Sequence, residues 1–455
     1  MSTSDKNYLF ESESPGKALA VMALPTIVSQ MIVLIYNLAD TWYIGRANDP
    51  DMVAASSLAV TLYLAVVALS NVFGVGGGTL MSRLSGEKKE DEARKVASYS
   101  VAVAFISTLV FSLLILVFLN PILTFLGADG TTLKYARQYV LMTVVAGGIP
   151  TVLSMCMPQL LRNAGYARQA GIGVGMGSIL NVILDPLFMF VILPEGSEVL
   201  GAGIATMLSN VCSMIYFIVL FVHLKDKTVL SIPTKLEKIG PENTRSLYSV
   251  GIPAAFAIFL FDVVTIALNK MTVAYGNIPL ASMGIVLKIE RIPMYIGIGI
   301  CLGMVPLVAY NYGSGNRARM KEISSVANKT IIIVSCICVA LMYIFAKQIV
   351  GLFINDAETI KYGATFLQAR SLAMPFMVIG NFYVHFMNAV GKGKVSFVLA
   401  VVRHLVLILP IMFILNLLFG LTGLVWSQLV ADVVNTAVAF VIFRRVEYLM
   451  YVTSD

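Results

Sequence analysis

The chain has 455 residues, of which 58% are hydrophobic and 13% charged, about half the charged fraction of an ordinary soluble domain. This excludes a soluble globular enzyme. It also leaves the net charge of +7 to basic residues gathered in alternate loops, which need no nucleic acid to explain them.

The N-terminus, MSTSDKNYLFESESPGK, is polar and lacks the basic start and small-residue cleavage site of a signal peptide, so it reads as a cytoplasmic tail. Apolar runs long enough to span a bilayer then follow along the whole chain. Twelve spans are predicted, at about 18–44, 53–79, 96–119, 137–158, 170–193 and 200–224, then 247–274, 281–310, 327–350, 363–388, 395–418 and 421–443. The connections alternate in charge. Arg83, Lys88, Lys89, Arg94 and Lys95 follow the second span, Arg162 and Arg168 the fourth, and Arg317, Arg319 and Lys321 the eighth, while the opposite loops carry Asp49, Asp51, Glu195 and Glu198. The positive-inside rule then places both termini in the cytoplasm. The five cysteines, Cys156, Cys212, Cys301, Cys336 and Cys338, all lie in apolar segments and read as small helix residues rather than a disulfide framework.

The two halves repeat each other. Ala23-Leu24-Pro25 returns as Gly251-Ile252-Pro253, Phe73-Gly74-Val75-Gly76 as Leu302-Gly303-Met304-Val305, and Arg162-Asn163-Ala164-Gly165 as Met387-Asn388-Ala389-Val390. Six spans per copy make these parallel repeats about an axis along the membrane normal. The expected fold is an all-α integral membrane protein with twelve transmembrane helices in two pseudo-symmetric six-helix lobes, residues 1–235 and 236–455. A cleft between two such lobes suits alternating access.

Chemistry concentrates in a few polar residues within these spans. Asp185 sits in GSILNVILDPLFMFV, with Asn181 one helical turn earlier on the same face and Pro186 following. An ionisable residue in a membrane segment is a functional candidate by default. Counting from the span ends, Asp40, Asp185 and Thr206 reach a similar depth, roughly 8–14 Å below the outer edge at 1.5 Å per residue. Carboxylate, amide and hydroxyl oxygens suit a hard cation, and two close carboxylates equally suit a proton. In the repeat these three positions pair with Leu268, Leu409 and Trp426, so the second half keeps the scaffold without the cluster. In that half, Asp262, Glu290 and Asp432 lie in or beside spans that also hold Lys288, Arg291, Arg403 and His404, so internal ion pairs compete with a ligand-binding role. Tyr36, Met31, Met283, Met294 and Tyr310 are candidates to line the cleft, since Met and aromatic side chains make adaptable apolar surfaces. Gly74–Gly78 lacks the Gly-Lys-Ser/Thr of a phosphate loop and reads as close helix packing. The three histidines, His223, His385 and His404, have no ligand spacing.

Tyr36-Asn37-Leu38-Ala39-Asp40 with Ile44-Gly45, Asn181-Val182-Ile183-Leu184-Asp185-Pro186 and Gly203-Ile204-Ala205-Thr206 resemble the multidrug and toxic compound extrusion family. Gly74–Gly78 and Val305-Pro306-Leu307-Val308-Ala309-Tyr310-Asn311-Tyr312 are similar to its MepA-like bacterial branch. The resemblance implies export of bulky, often cationic drugs in exchange for Na⁺ or H⁺. It implies a cation site formed by Asp40, Asn181, Asp185 and Thr206, which would be the Na⁺ ligands under sodium coupling. It suggests substrate contacts from Asp262, Tyr36, Asn37, Glu290, Met283 and Tyr310. No enzyme activity and no cofactor beyond the coupling ion are expected. The expected partners are small-molecule drugs, organic cations and membrane lipids, with no nucleic acid, and the protein is expected to be a monomer. The competing reading is a flippase for lipid-linked precursors or polysaccharides.

Overall fold

The computed structural model describes residues 8–46, 49–233 and 237–452. The expected lobe boundary at residue 235 falls outside them. Among the described residues the regular structure is helical throughout. The first half contributes α1 (Pro15–Arg46), α2 (Pro50–Gly86), α3 (Glu90–Val117), α4 (Leu119–Phe125), α5 (Gly130–Val140), α6 (Gly148–Asn163), α7 (Ala167–Leu187) and α8 (Glu198–Leu224). The second contributes α9 (Pro241–Val273), α10 (Asn277–Gly313), α11 (Arg317–Ile344), α12 (Ala346–Gly351), α13 (Ala357–Ser371), α14 (Met374–Ala389), α15 (Gly393–Val401) and α16 (Leu409–Val452).

Nine helical stretches among these are long and apolar enough to cross a bilayer, and α5 with α6 makes a tenth, bent by 51°. The remaining two spans are concealed by breaks. The stretch Gly393–Leu449 folds back at Gly420, whose φ of 58° and ψ of −139° lie outside the helical region. Arg403 and Asp432 would stand about 43 Å apart on a straight helix, yet their side chains meet at 2.8 Å. The other span is α13 plus α14, two helices of 15 and 16 residues, each short for a bilayer alone. Twelve crossings result, as the apolar runs predict.

The internal breaks have a common cause. Three π-helical segments, Leu141–Ala146, Phe188–Ile192 and Val402–Ile408, are each followed within four residues by a proline, Pro150, Pro194 and Pro410, whose i−4 residues Ala146, Phe190 and Val406 lie in the segment. A proline removes the amide that its i−4 carbonyl needs, and the widened π turn accommodates the loss. Large apolar side chains such as Val117, Leu417 and Phe125 are 72–89% exposed, which is the surface a bilayer covers.

The halves meet through α1 and α2 against α9 and α10. The repeated Ala23 and Gly251 explain the pairing. A Cβ on Gly303 would lie 2.8 Å from the Cβ of Ala23, and one on Gly251 would lie 2.0 Å from the Val72 carbonyl oxygen. The backbones touch because small residues face each other. At the same end Ser82 Oγ donates to the Pro306 carbonyl at 3.0 Å, and Arg83 donates to the Ala389 carbonyl at 3.2 Å and to Ser246 Oγ at 2.9 Å. This is the end carrying the basic loops. The helical turn at 8–11 lies across it. The Phe10 carbonyl accepts from Arg319 Nε at 2.7 Å and from Asn311 Nδ2 at 3.1 Å, and Glu11 accepts from Lys88 at 2.6 Å and from the Tyr310 hydroxyl.

Candidate functional site

Helical spacing in α7 puts Ser178, Asn181 and Asp185 on one face, and that face packs on α8 and α1. Asp185 is fully buried and Thr206 and Asn181 nearly so. With its amide oriented to satisfy both ends, Asn181 donates to Asp185 Oδ2 at 2.9 Å and accepts from the Thr206 backbone amide at 3.2 Å. Asp40 on α1 lies within electrostatic reach of Asp185, and the Tyr36 and Tyr139 hydroxyls stand in the field of both acids. The four residues predicted as a cation site therefore gather in one place.

One oxygen of each acid is left over. Asp40 Oδ1 and Asp185 Oδ1 are buried without a hydrogen-bond partner. A carboxylate oxygen so placed is costly unless a proton or a cation satisfies it. With the Thr206 hydroxyl beside them, the free carboxyl oxygens form an oxygen set that fits a hard monovalent cation as well as a proton. Among the described residues no cluster of three His, Cys, Asp or Glu side chains forms a transition-metal site.

Next to this cluster lies a cavity of about 220 Å³, lined by Tyr36, Tyr63, Gln159, Asn181, Thr206 and Asn210 among others. Its wall is hydroxyl- and amide-rich: Ser154 donates to Asn210 Oδ1 and Asn210 donates to Thr151 Oγ1, both at 3.0 Å. Sequence reasoning did not single out Tyr63, Tyr139, Ser154 or Asn210, nor Arg162 as a residue of this cavity's wall. A signal existed: Thr151, Ser154, Pro158 and Arg162 in α6, and Thr206, Asn210 and Ser213 in α8, recur every three to four residues within apolar runs, the period of one helix face.

The second half is arranged differently. Glu290 is held by Arg370 in a buried two-pronged pair at 2.7 and 2.9 Å, and Asp432 by Arg403 at 2.8 Å with Gln428 as a further donor. Glu290 also borders a cavity of about 80 Å³ with Arg291, Met294 and Gln428. Asp262 has no ion pair among the described residues, and its Oδ2 is buried without a partner. Met283 is fully buried in the core with Val286 and Ile289, and Tyr310 is engaged at the basic end by Glu11 and Lys88. The structure brings neither to a cavity with Asp262. Asn37 lies beside Tyr295 of the other half. The positions paired by repeat with the acid cluster are apolar, as Leu268 in its core illustrates.

The MatE family model matches residues 25–187 and 253–442, one match in each half. The multidrug export protein MepA of Staphylococcus saprophyticus is 31% identical over 439 residues, covering 96% of this chain and 95% of its own. MepA of Staphylococcus aureus is 32% identical over 425 residues, covering 93% and 92%. Among solved structures, an outward-facing multidrug resistance MATE transporter of the MOP superfamily superposes with a TM-score of 0.92 at 22% identity, covering 99% of each chain. A MATE protein in a bent conformation gives 0.89 at 22%, covering 100% of each. At that identity the structures speak for the fold.

Proposed function

This chain belongs to the MatE family, and on that premise we propose that it exports bulky, often cationic drugs across the bacterial cytoplasmic membrane in exchange for an inward coupling ion, H⁺ or Na⁺. The observation that carries this reading is the pair of orphaned carboxyl oxygens on Asp40 and Asp185 beside the 220 Å³ cavity. A pair of buried carboxyl oxygens with nothing to satisfy them is a site whose occupancy must change the energy of its surroundings. An ion shifts a conformational equilibrium only by its different affinity for the two states. Here the shell of α1, α7 and α8 supplies that difference: Asn181 and Thr206 orient Asp185, and any movement of α1 carries Asp40 toward or away from it.

Both termini are assigned to the cytoplasm, with the halves, residues 1–235 and 236–455, as the two rocking bodies. The contacts of Ser82, Arg83, Ala23 and Gly303 then form the closed cytoplasmic gate. Asp262, the unpaired acid of the second half, with Tyr36 and Asn37, is proposed to meet the cationic drug, because an anion in a low-dielectric cleft favours a cation over a neutral compound. The drug-export names of the relatives favour this reading over a precursor flippase.

The test is efflux of a fluorescent organic cation from proteoliposomes, with Na⁺ and pH gradients imposed separately. One of the two gradients is expected to accelerate efflux. If neither does, ion coupling is wrong.

A further inference from the structure

Five arginines have at most 9% of their surface exposed: Arg83, Arg162, Arg319, Arg370 and Arg403. Four are satisfied. Arg370 and Arg403 pair with Glu290 and Asp432, Arg83 with the Ala389 carbonyl and Ser246, and Arg319 with the Phe10 and Glu13 carbonyls. Arg162 is the exception. Its side chain has no ion pair or hydrogen bond among the described residues, the residue is 5% exposed, and its Nε is buried without a partner. A guanidinium cannot escape by losing its proton, and an unpaired buried charge costs several kcal/mol.

Its location explains what that charge is for. Arg162 closes the end of α6 and borders two spaces at once. One is the 220 Å³ polar cavity, whose lining contains no carboxylate; Asn181, which bonds Asp185, stands elsewhere on the same wall. The other is a chamber of about 20 Å³ between the halves, bordered by Thr79, Gln159, Asn163, His385 and Asn388, again with no carboxylate. That volume is enough for a water or a small ion. Asn163 and Asn388, partners in the repeat, meet there from the two halves. The repeat also removes a scaffold explanation, because the twin of Arg162 is Met387, fully buried in an apolar core. The fold does not need a cation at this corner.

We propose that Arg162 anchors a site for a monoanion at the junction of these two spaces. The occupant is either a halide or the carboxylate of a zwitterionic compound whose cationic end lies toward Asp40 and Asp185. A guanidinium supplies a planar fork of donors for such a group, and the side-chain amide of Gln159 borders both spaces beside it, whereas the Thr79 hydroxyl is spent on the Val75 carbonyl and Asn163 donates to the Gln159 carbonyl. The halide form stands independently of drug export; the carboxylate form rests on that reading and adds a substrate class to it.

The experiment is equilibrium binding to the purified full-length protein in nanodiscs, with no gradient and no transport. Melting temperature is followed at constant ionic strength while sodium isethionate is replaced by sodium chloride, by sodium benzoate, or by the zwitterion 4-(aminomethyl)benzoate. A saturable rise of about 2 °C or more is expected with one class. It should be absent in Arg162→Gln and in Arg162→Met, the latter carrying the residue of the repeat twin. A rise with chloride alone assigns a halide site, and a rise with the carboxylates alone assigns a substrate subsite. If a variant does not fold, amide exchange of residues 155–166 in the wild-type protein decides, since a bound anion must slow it. No anion effect on melting or exchange in the wild type, or an equal rise in the variants, overturns the proposal. Failure of export in liposomes would leave it standing, and its failure would leave export standing.

Discussion

Glu290 and Asp185 are both carboxylates buried in apolar spans, and their surroundings assign them opposite behaviour. Glu290 spends both oxygens on Arg370. Glu290→Gln strands a buried guanidinium and should cost about 3–5 kcal/mol of stability, read as a lower melting temperature and poorer yield; the double change Glu290→Met with Arg370→Met should recover most of it. Asp185 keeps one oxygen unbonded, so Asp185→Asn preserves shape and removes only the charge. The variant is expected to melt like the wild type and to lose gradient-driven efflux at matched protein level, as is Asp40→Asn. Undiminished gradient-driven efflux would sink the coupling role. The spacing of Asn181 and Asp185 and the common depth of Asp40 and Thr206 made this cluster legible in the sequence. The fate of Glu290 was not legible, because its partner lies 80 residues away and periodicity says nothing of which neighbouring helix covers a face. For the same reason Met283, a candidate cleft residue by type, lies inside a core.

Among the elements, the apolar runs and loop charges sufficed for twelve crossings, yet not for how three of them are built. Pro150, Pro194 and Pro410 accompany π turns whose location depends on how each helix packs after losing a hydrogen bond, and α13 with α14 is a broken span that reads as one run in sequence. The N-terminal turn is a further case: a polar tail by composition, it lies across the junction of the halves by virtue of Glu11. The Lys88 ammonium, and then the Tyr310 hydroxyl, hold the Glu11 carboxyl below the ordinary value of 4.5. A carboxyl with a lowered folded value stabilises its contacts above the ordinary value and loses that contribution as pH falls through the lowered one. Lys88 is raised by the same pair, so it stays charged throughout. Both side chains are substantially exposed, which makes the effect local. Amide exchange of residues 8–14, corrected for intrinsic rates, is expected to be protected at pH 7 and to lose protection below about pH 4. Glu11→Gln should lose it already at pH 7. Unchanged protection in that variant would show that Phe10 and Arg319 alone hold the turn.

At the scale of the whole molecule, the tightest backbone contacts between the halves, Ala23 to Gly303 and Val72 to Gly251, lie toward the end with the basic loops, while the acid pair lies toward the other, where Asn37 still reaches Tyr295. Two rigid bodies joined at one end can exchange access only by separating there and meeting at the opposite end. Under the rocking proposed above, the joint would part without breaking an ion pair: Ala23 against Gly303 and Val72 against Gly251 are backbone approaches, while Arg83 reaches across to carbonyls and a hydroxyl rather than to an acid. Dispersion between small residues is lost gradually as the surfaces part, so opening does not strand a buried charge pair. A covalent link across the joint should therefore arrest transport without harming the fold. Ala23→Cys with Gly303→Cys, in a background without the five native cysteines, places the two Cβ positions 2.8 Å apart before relaxation. A shift of about 1 Å brings them to disulfide spacing. Oxidised protein is expected to melt no lower than the reduced double variant, to fail in efflux, and to regain efflux on reduction, whereas Ala23→Cys alone should transport under both conditions. Sustained efflux by the fully cross-linked protein would mean that the α1–α10 contact stays closed throughout the cycle, and the moving surface would have to be sought within a half rather than between them.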